Sequence, residues 1–118
     1  MKVVTICGSM KFKNEMQQIA WDLEARNGYS VIQCVYNNRE TKETDEEISN
    51  LVNAHWKKID ISDAIYVVNV GGYIGKSTAN EIEYAIRNGK EVLYYEKVNE
   101  ITINWNILTK YCDVDMKI

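Results

Sequence analysis

The chain has 118 residues, 46% of them hydrophobic and 26% charged, with a formal net charge of -3. That composition gives one globular domain with a real core, and the mild acidity argues against a basic surface for DNA or RNA polymers or a polybasic membrane patch. The three cysteines are odd in number and widely spaced, no C-x-x-C pair proposes a metal site, and no apolar run has the form of a signal peptide or the roughly 20 residues of a membrane span, so reduced thiols in a cytoplasmic protein are expected.

Residues 3–7 are a continuous apolar-rich run ended by Gly8-Ser9, which predicts a strand buried on both faces. Over residues 14–27, Met16, Ile19, Ala20 and Leu23 recur at helical spacing and Asn27-Gly28 supplies the stop. Residues 29–36 read as a second strand and 37–44 as a polar connection. Thr44-Asp45-Glu46-Glu47 is a capping box, with acids where the helix dipole favours them. Ile48, Leu51, Val52, His55 and Ile59 then make one stripe of the helix that follows. Asp60 and Asp63 read as turn residues before a third strand over 64–70. Residues 77–88 are a third helix with Ala79, Ile82, Ala85 and Ile86 inward, stopped by Gly89, and 91–95 a fourth strand. In the tail, Ile101, Trp105, Leu108 and Cys112 predict a helix over 101–112, and 113–118 an edge strand. Trp21, Trp56 and Trp105 fall on helices, where packing or a dimer contact is their expected use.

Alternating strands and helices imply an α/β domain spanning residues 1–118, with a parallel sheet covered by helices on both faces. The expected strand order is 2-1-3-4, with the topological reversal between strands one and three. Ligands of such sheets bind at the carboxyl ends of the strands, near that reversal.

Residues 70–85, VGGYIGKSTANEIEYA, invite comparison with a nucleotide-binding phosphate loop. The motif G-x-x-x-x-G-K-[ST] requires a glycine where this chain has Val70, and Gly71 and Gly72 stand too close to Gly75 to encircle phosphates. Two glycine-bearing loops nevertheless fall at the predicted binding edge: Gly8-Ser9-Met10-Lys11 after strand one, and residues 71–77 after strand three. Each feeds a helix N-terminus, which favours an anion. Either glycine alone is accounted for by a tight turn; two neighbouring loops of this kind point to a small anionic or polyhydroxyl ligand. Glu81, early in the third helix, has two readings. Thr78-Ala79-Asn80-Glu81 is itself a capping-box pattern, and a carboxylate on the margin of the inward stripe is also placed to attack a developing cation at a cleft edge.

Three stretches resemble the nucleoside 2-deoxyribosyltransferase superfamily, which includes deoxynucleoside-monophosphate N-glycosidases. They are Gly8-Ser9-Met10 after the first strand, Ser62-Asp63-Ala64 leading the third, and Asn80-Glu81-Ile82-Glu83-Tyr84-Ala85 followed by Asn88-Gly89-Lys90. The likeness covers about residues 3–95. It implies a flavodoxin-like fold, dimeric or higher homo-oligomeric assembly, a nucleoside or nucleotide substrate, and neither metal nor cofactor. By position, Glu81 would be the nucleophile at the anomeric carbon of a 2-deoxyribosyl group. Gly8, Ser9 and Met10 would hold the sugar or a 5′-phosphate, Lys11 would pair with phosphate, and Gly75, Lys76 and Ser77 would complete the anion site. Tyr36 and Tyr73 follow strands and are candidates to stack on a base. The chain departs from the superfamily at one position: where an aspartate is usual, eight residues before Asp63, it carries His55. His55 is a candidate proton carrier, and equally a packed histidine on the apolar stripe. In an unbroken helix from Asp45 it falls about 15 Å below the cleft edge. Without its chemistry, the same cleft makes a nucleotide-binding sensor.

Overall fold

The computed structural model describes residues 1–98; the helix and edge strand expected over 101–118 lie outside the described residues. The element order is β1 (Val3–Gly8), α1 (Lys13–Ala25), β2 (Ser30–Ile32), α2 (Asp45–Asp60), β3 (Ala64–Val68), α3 (Lys76–Arg87) and β4 (Glu91–Tyr94), with single 3-10 turns at Met10–Phe12 and Val70–Gly72. The four strands form one all-parallel sheet in the order β2-β1-β3-β4, the flavodoxin-like arrangement.

β1 and β3 are the central strands, and their composition explains why. Val4, Ile6, Cys7, Ala64, Ile65, Val67 and Val68 are all buried, as a strand covered on both faces requires. Alternation divides them between two apolar layers. Ile6 and Val68 meet Phe12, Met16, Ile19, Ala20 and Leu23 on the α1 face. Cys7, Ile65 and Val67 meet Ile59, Ala79, Ile82 and Ala85 on the face of α2 and α3. Thr5 is the polar residue of buried β1, and its hydroxyl is satisfied by Ser62 Oγ at 2.6 Å and the Lys58 carbonyl at 3.1 Å. Asp63 is more than a turn residue: its Oδ2 accepts from Val3 N–H at 2.8 Å, tying the lead-in of β3 to the start of β1.

Three elements depart from the sequence reading, α3 in that Ile86, expected inward, is exposed at the last turn of the helix. β2 spans only three residues of the expected eight, because it is an edge strand that pairs with Val3–Thr5 alone, and the Gln33 carbonyl is taken by Lys58 Nζ at 3.0 Å instead of a ladder partner. In α2 the expected inward stripe is not inward. The Thr44–Glu47 capping box forms as the sequence specifies, but residues 45–54 are all exposed, with Ile48, Leu51 and Val52 between 39% and 47% accessible, and Ile59 is the buried residue of the helix. The first half of α2 runs past the carboxyl end of β1, and no strand among the described residues lies beneath its apolar stripe.

Candidate functional site

Past the carboxyl ends of β1 and β3, a cleft of about 650 Å³ opens between α2, α3 and the loops that follow the two strands. Gly8, Ser9 and Met10 line one side, Gly75, Lys76 and Ser77 another, and His55 and Glu81 the depth, with Tyr73 at the loop side. Leu51 and Val52 form the α2 wall, so the middle of the stripe lines the cleft, while Ile59 at its end is core.

Each loop has a local cause. A Cβ on Gly8 would stand 3.2 Å from Met16 Sδ and 3.3 Å from the Val68 carbonyl, so Gly8 lets the strand end approach both closely, and a larger residue would push them back by a few tenths of an ångström. Ser9 caps the turn behind it, its Oγ accepting from Lys11 N–H at 3.4 Å. After β3, Gly71 and Gly72 take positive φ values of 66° and 80°, and the turn is pinned from below by Asn69. That buried amide exchanges two hydrogen bonds with the Glu96 backbone, at 3.0 and 2.8 Å, while the Glu96 carboxylate accepts from Gly71 N–H. Gly75 is the N-cap of α3, in extended conformation and with no side-chain cap. The first-turn N–H groups of that helix have no intrahelical partners and face an anion-favouring dipole.

The start of α3 at Lys76 corrects the capping-box reading of Glu81. Thr78 lies inside the first turn and is buried, so it caps nothing, and Glu81 stands in the second turn, roughly 7.5 Å along the helix from Lys76. The distance objection to His55 also fails. α2 is unbroken, yet because its first ten residues project past the sheet, His55 arrives level with the strand ends. His55 Nε2 lies 3.4 Å from Glu81 Oε1 and 3.5 Å from Cys7 Sγ. The two side chains are 14% and 17% exposed, nearly enclosed but reachable from the cleft. His55 Nδ1 is buried with no hydrogen-bond partner among the described residues.

Two expected residues stand apart. Lys11 is not part of the lining: its Nζ lies 3.2 Å from the centroid of the Tyr73 ring, a cation–π contact at the mouth. Tyr36 turns toward the α1 face, donating to Gln33 Oε1 at 3.2 Å, and burial followed by the neighbouring Cys34 raises its phenol above the ordinary range. Of the tryptophans, Trp56 packs on the Tyr84 ring, centroids 4.5 Å apart, whereas Trp21 is exposed.

Cys7 is buried, as a small apolar residue at a strand end near the cleft should be, and it faces His55 and Glu81 from the sheet floor. Burial, and then the charge and hydrogen bond of Glu81, push its thiol well above the usual range, which favours the protonated form. The three groups do not make a catalytic triad. The carboxylate would then hold Nδ1 of the imidazole, but here thiol and carboxylate share Nε2. The Glu81 carboxylate is one of the groups of the cleft lining with nucleophilic character. Glu43, from the connection read only as polar, also lines the cleft. Hydrogen bonding lowers its pKa, chiefly that from Asn37 Nδ2 at 2.8 Å.

Compared with family models, with curated proteins and with solved structures, the chain has no match in any of the three.

Proposed function

We propose that the protein cleaves or transfers the N-glycosidic bond of a 2-deoxynucleoside or its 5′-monophosphate, with Glu81 as nucleophile. The observation that carries the reading is Glu81 itself: a carboxylate free of any capping duty, in the depth of a cleft and 3.4 Å from an imidazole. The motif resemblance around residues 80–90 supplies the substrate class. The cleft suits such a ligand in three parts. The α3 N-terminus with Lys76 and Ser9 offers a phosphate end, Glu81 and His55 a sugar end, and Leu51, Val52 and Tyr73 apolar surface for a base.

In the proposed step a Glu81 oxygen bonds to the anomeric carbon while the carbon–nitrogen bond breaks, and its electron pair leaves with the base. The departing base takes up a proton, for which His55 is the nearest carrier. The carboxylate offsets the oxocarbenium-like charge and forms a sugar ester. A second base resolving the ester makes a transferase, and water makes a hydrolase. A cytoplasmic homodimer belongs to the same reading, and the solution mass tests the assembly. The test of the chemistry is base release from a panel of deoxynucleosides and their monophosphates, with and without acceptor base. Release that depends on Glu81 supports the reading; ligand binding without release favours a non-catalytic nucleotide sensor. That second reading is favoured by His55 standing where the similar proteins carry an aspartate.

A further inference from the structure

We propose that Cys7 Sγ, His55 Nε2 and Glu81 form a three-ligand site for a divalent metal of the zinc class, its fourth position open to the cleft. The three donor atoms come from three different elements, β1, α2 and α3, and all lie within 4.8 Å of one another. The two spacings from His55 Nε2 match a tetrahedron's edges. Zinc bonds of about 2.3 Å to sulfur and 2.0–2.2 Å to nitrogen and oxygen put neighbouring ligand atoms roughly 3.3–3.6 Å apart. The observed separations are 3.5 Å for sulfur to nitrogen and 3.4 Å for nitrogen to oxygen.

One ring nitrogen, with a single hydrogen or a single lone pair, faces both a thiol and a carboxylate, so it bonds only one of them directly. A metal ion at the common focus gives all three donors a partner at once. The donor set of one thiolate, one imidazole and one carboxylate suits zinc better than magnesium or calcium, which prefer all-oxygen shells. On binding, the Cys7 S–H bond breaks, sulfur keeps the electron pair and bonds to the ion, and the proton passes to solvent. His55 then carries its proton on Nδ1, which lacks the outer hydrogen-bond partner that usually orients a ligating imidazole. The site is therefore reversible and weaker than a structural zinc centre. Its consequence for turnover rests on the proposed function: with a Glu81 oxygen committed to the ion, attack on a sugar is blocked, so zinc inhibits.

The test is metal binding by the untagged, reduced full chain without substrate, using zinc against a chromophoric chelator and cobalt as the spectroscopic probe. One zinc per chain is expected, with release of a proton, and with cobalt the strong visible bands of tetrahedral coordination plus a thiolate-to-cobalt band. Cys7→Ser should abolish that band, His55→Gln and Glu81→Gln should each weaken binding by about tenfold or more, and Cys34→Ser should change nothing. Because Cys7 is part of the buried core, the wild-type chain gives a readout without substitution: zinc should displace cobalt and bleach its thiolate band. No zinc uptake at millimolar metal, a cobalt spectrum of octahedral form without the thiolate band, or affinity indifferent to both His55→Gln and Glu81→Gln overturns the site. None of these outcomes bears on whether Glu81 attacks a sugar, and absence of glycosidic turnover leaves the binding result standing.

Discussion

α2 and α3 each give one side chain to the heart of the cleft, and they are built differently. α3 has 12 residues and buries Thr78, Ala79, Ile82 and Ala85; α2 has 16 and buries Ile59. α3 lies along the sheet over β1 and β3, so Glu81 stands on a packed base. α2 is anchored near its end, by Ile59 and Trp56, and projects its first half beyond the strands. An amphipathic pattern shows that a helix has an apolar face, but not whether a sheet or a ligand covers it. The division also has a dynamic consequence. Among the described residues the projecting turns of α2 are exposed and held by their own backbone ladder and the Thr44 cap, so their amides should exchange faster than those of residues 79–86.

The largest effect expected from this contrast is on turnover. Glu81→Gln should lower the rate of base release by roughly 10³ or more while leaving the melting temperature near that of the parent, since the residue caps nothing and the amide is nearly the same size. Both quantities should be measured on one preparation. Normal turnover would remove α3 as the carrier of the nucleophile.

Core substitutions separate the two helices directly. Ile82→Ala on α3 should cost about 2–5 kcal/mol in urea unfolding, because Ile82 is fully buried. Ile48→Ala on α2 should stay within about 0.5 kcal/mol, because its side chain is exposed. Equal costs would mean that the first half of α2 is covered in solution.

A smaller effect concerns the anion end. Lys76→Ala should weaken monophosphates about tenfold in calorimetric titration and leave nucleosides nearly unchanged, because only the former carry the charge that a charge-assisted bond recognises. Equal weakening of both would assign Lys76 another part.

The smallest effect is at the α2 cap. Thr44→Ala should cost about 1 kcal/mol or less, seen as faster exchange in the first turns of α2 rather than as a large shift of the global melt. The same cap predicts a pH dependence. Hydrogen bonds from the Thr44 backbone and side chain lower the folded pKa of Glu47. Its contribution is therefore complete above the unfolded glutamate pKa and is lost as pH falls through the lowered folded value. Protection of the first α2 turns should drop at acid pH in the parent and be less pH-sensitive in Glu47→Gln; identical profiles would show that the cap does not hold the helix.

Much was determined by the sequence alone. The buried runs of β1 and β3 fixed the central strands, the periodicity of residues 16–23 and 79–85 fixed two helices, and Thr44-Asp45-Glu46-Glu47 fixed the start of a third. These signals are local, since burial on both faces, helical spacing and caps are written within a dozen residues. The strand order followed from the alternation of strands and helices with a reversal between β1 and β3, and the loops after those strands border the cleft as expected. The tertiary structure alone decided the rest. Whether Thr78 or Gly75 caps α3 depended on where the chain leaves β3. The fate of the Ile48, Leu51 and Val52 stripe depended on how far α2 runs past the sheet, and that same overshoot lifts His55 to Glu81. Cys7, an ordinary strand residue in the sequence, becomes the third member of the cluster because alternation along β1 turns it toward the face that α2 and α3 cover. Contacts among residues 7, 55 and 81 carry no local signature; they are set by the lengths and angles of three elements packed on one sheet.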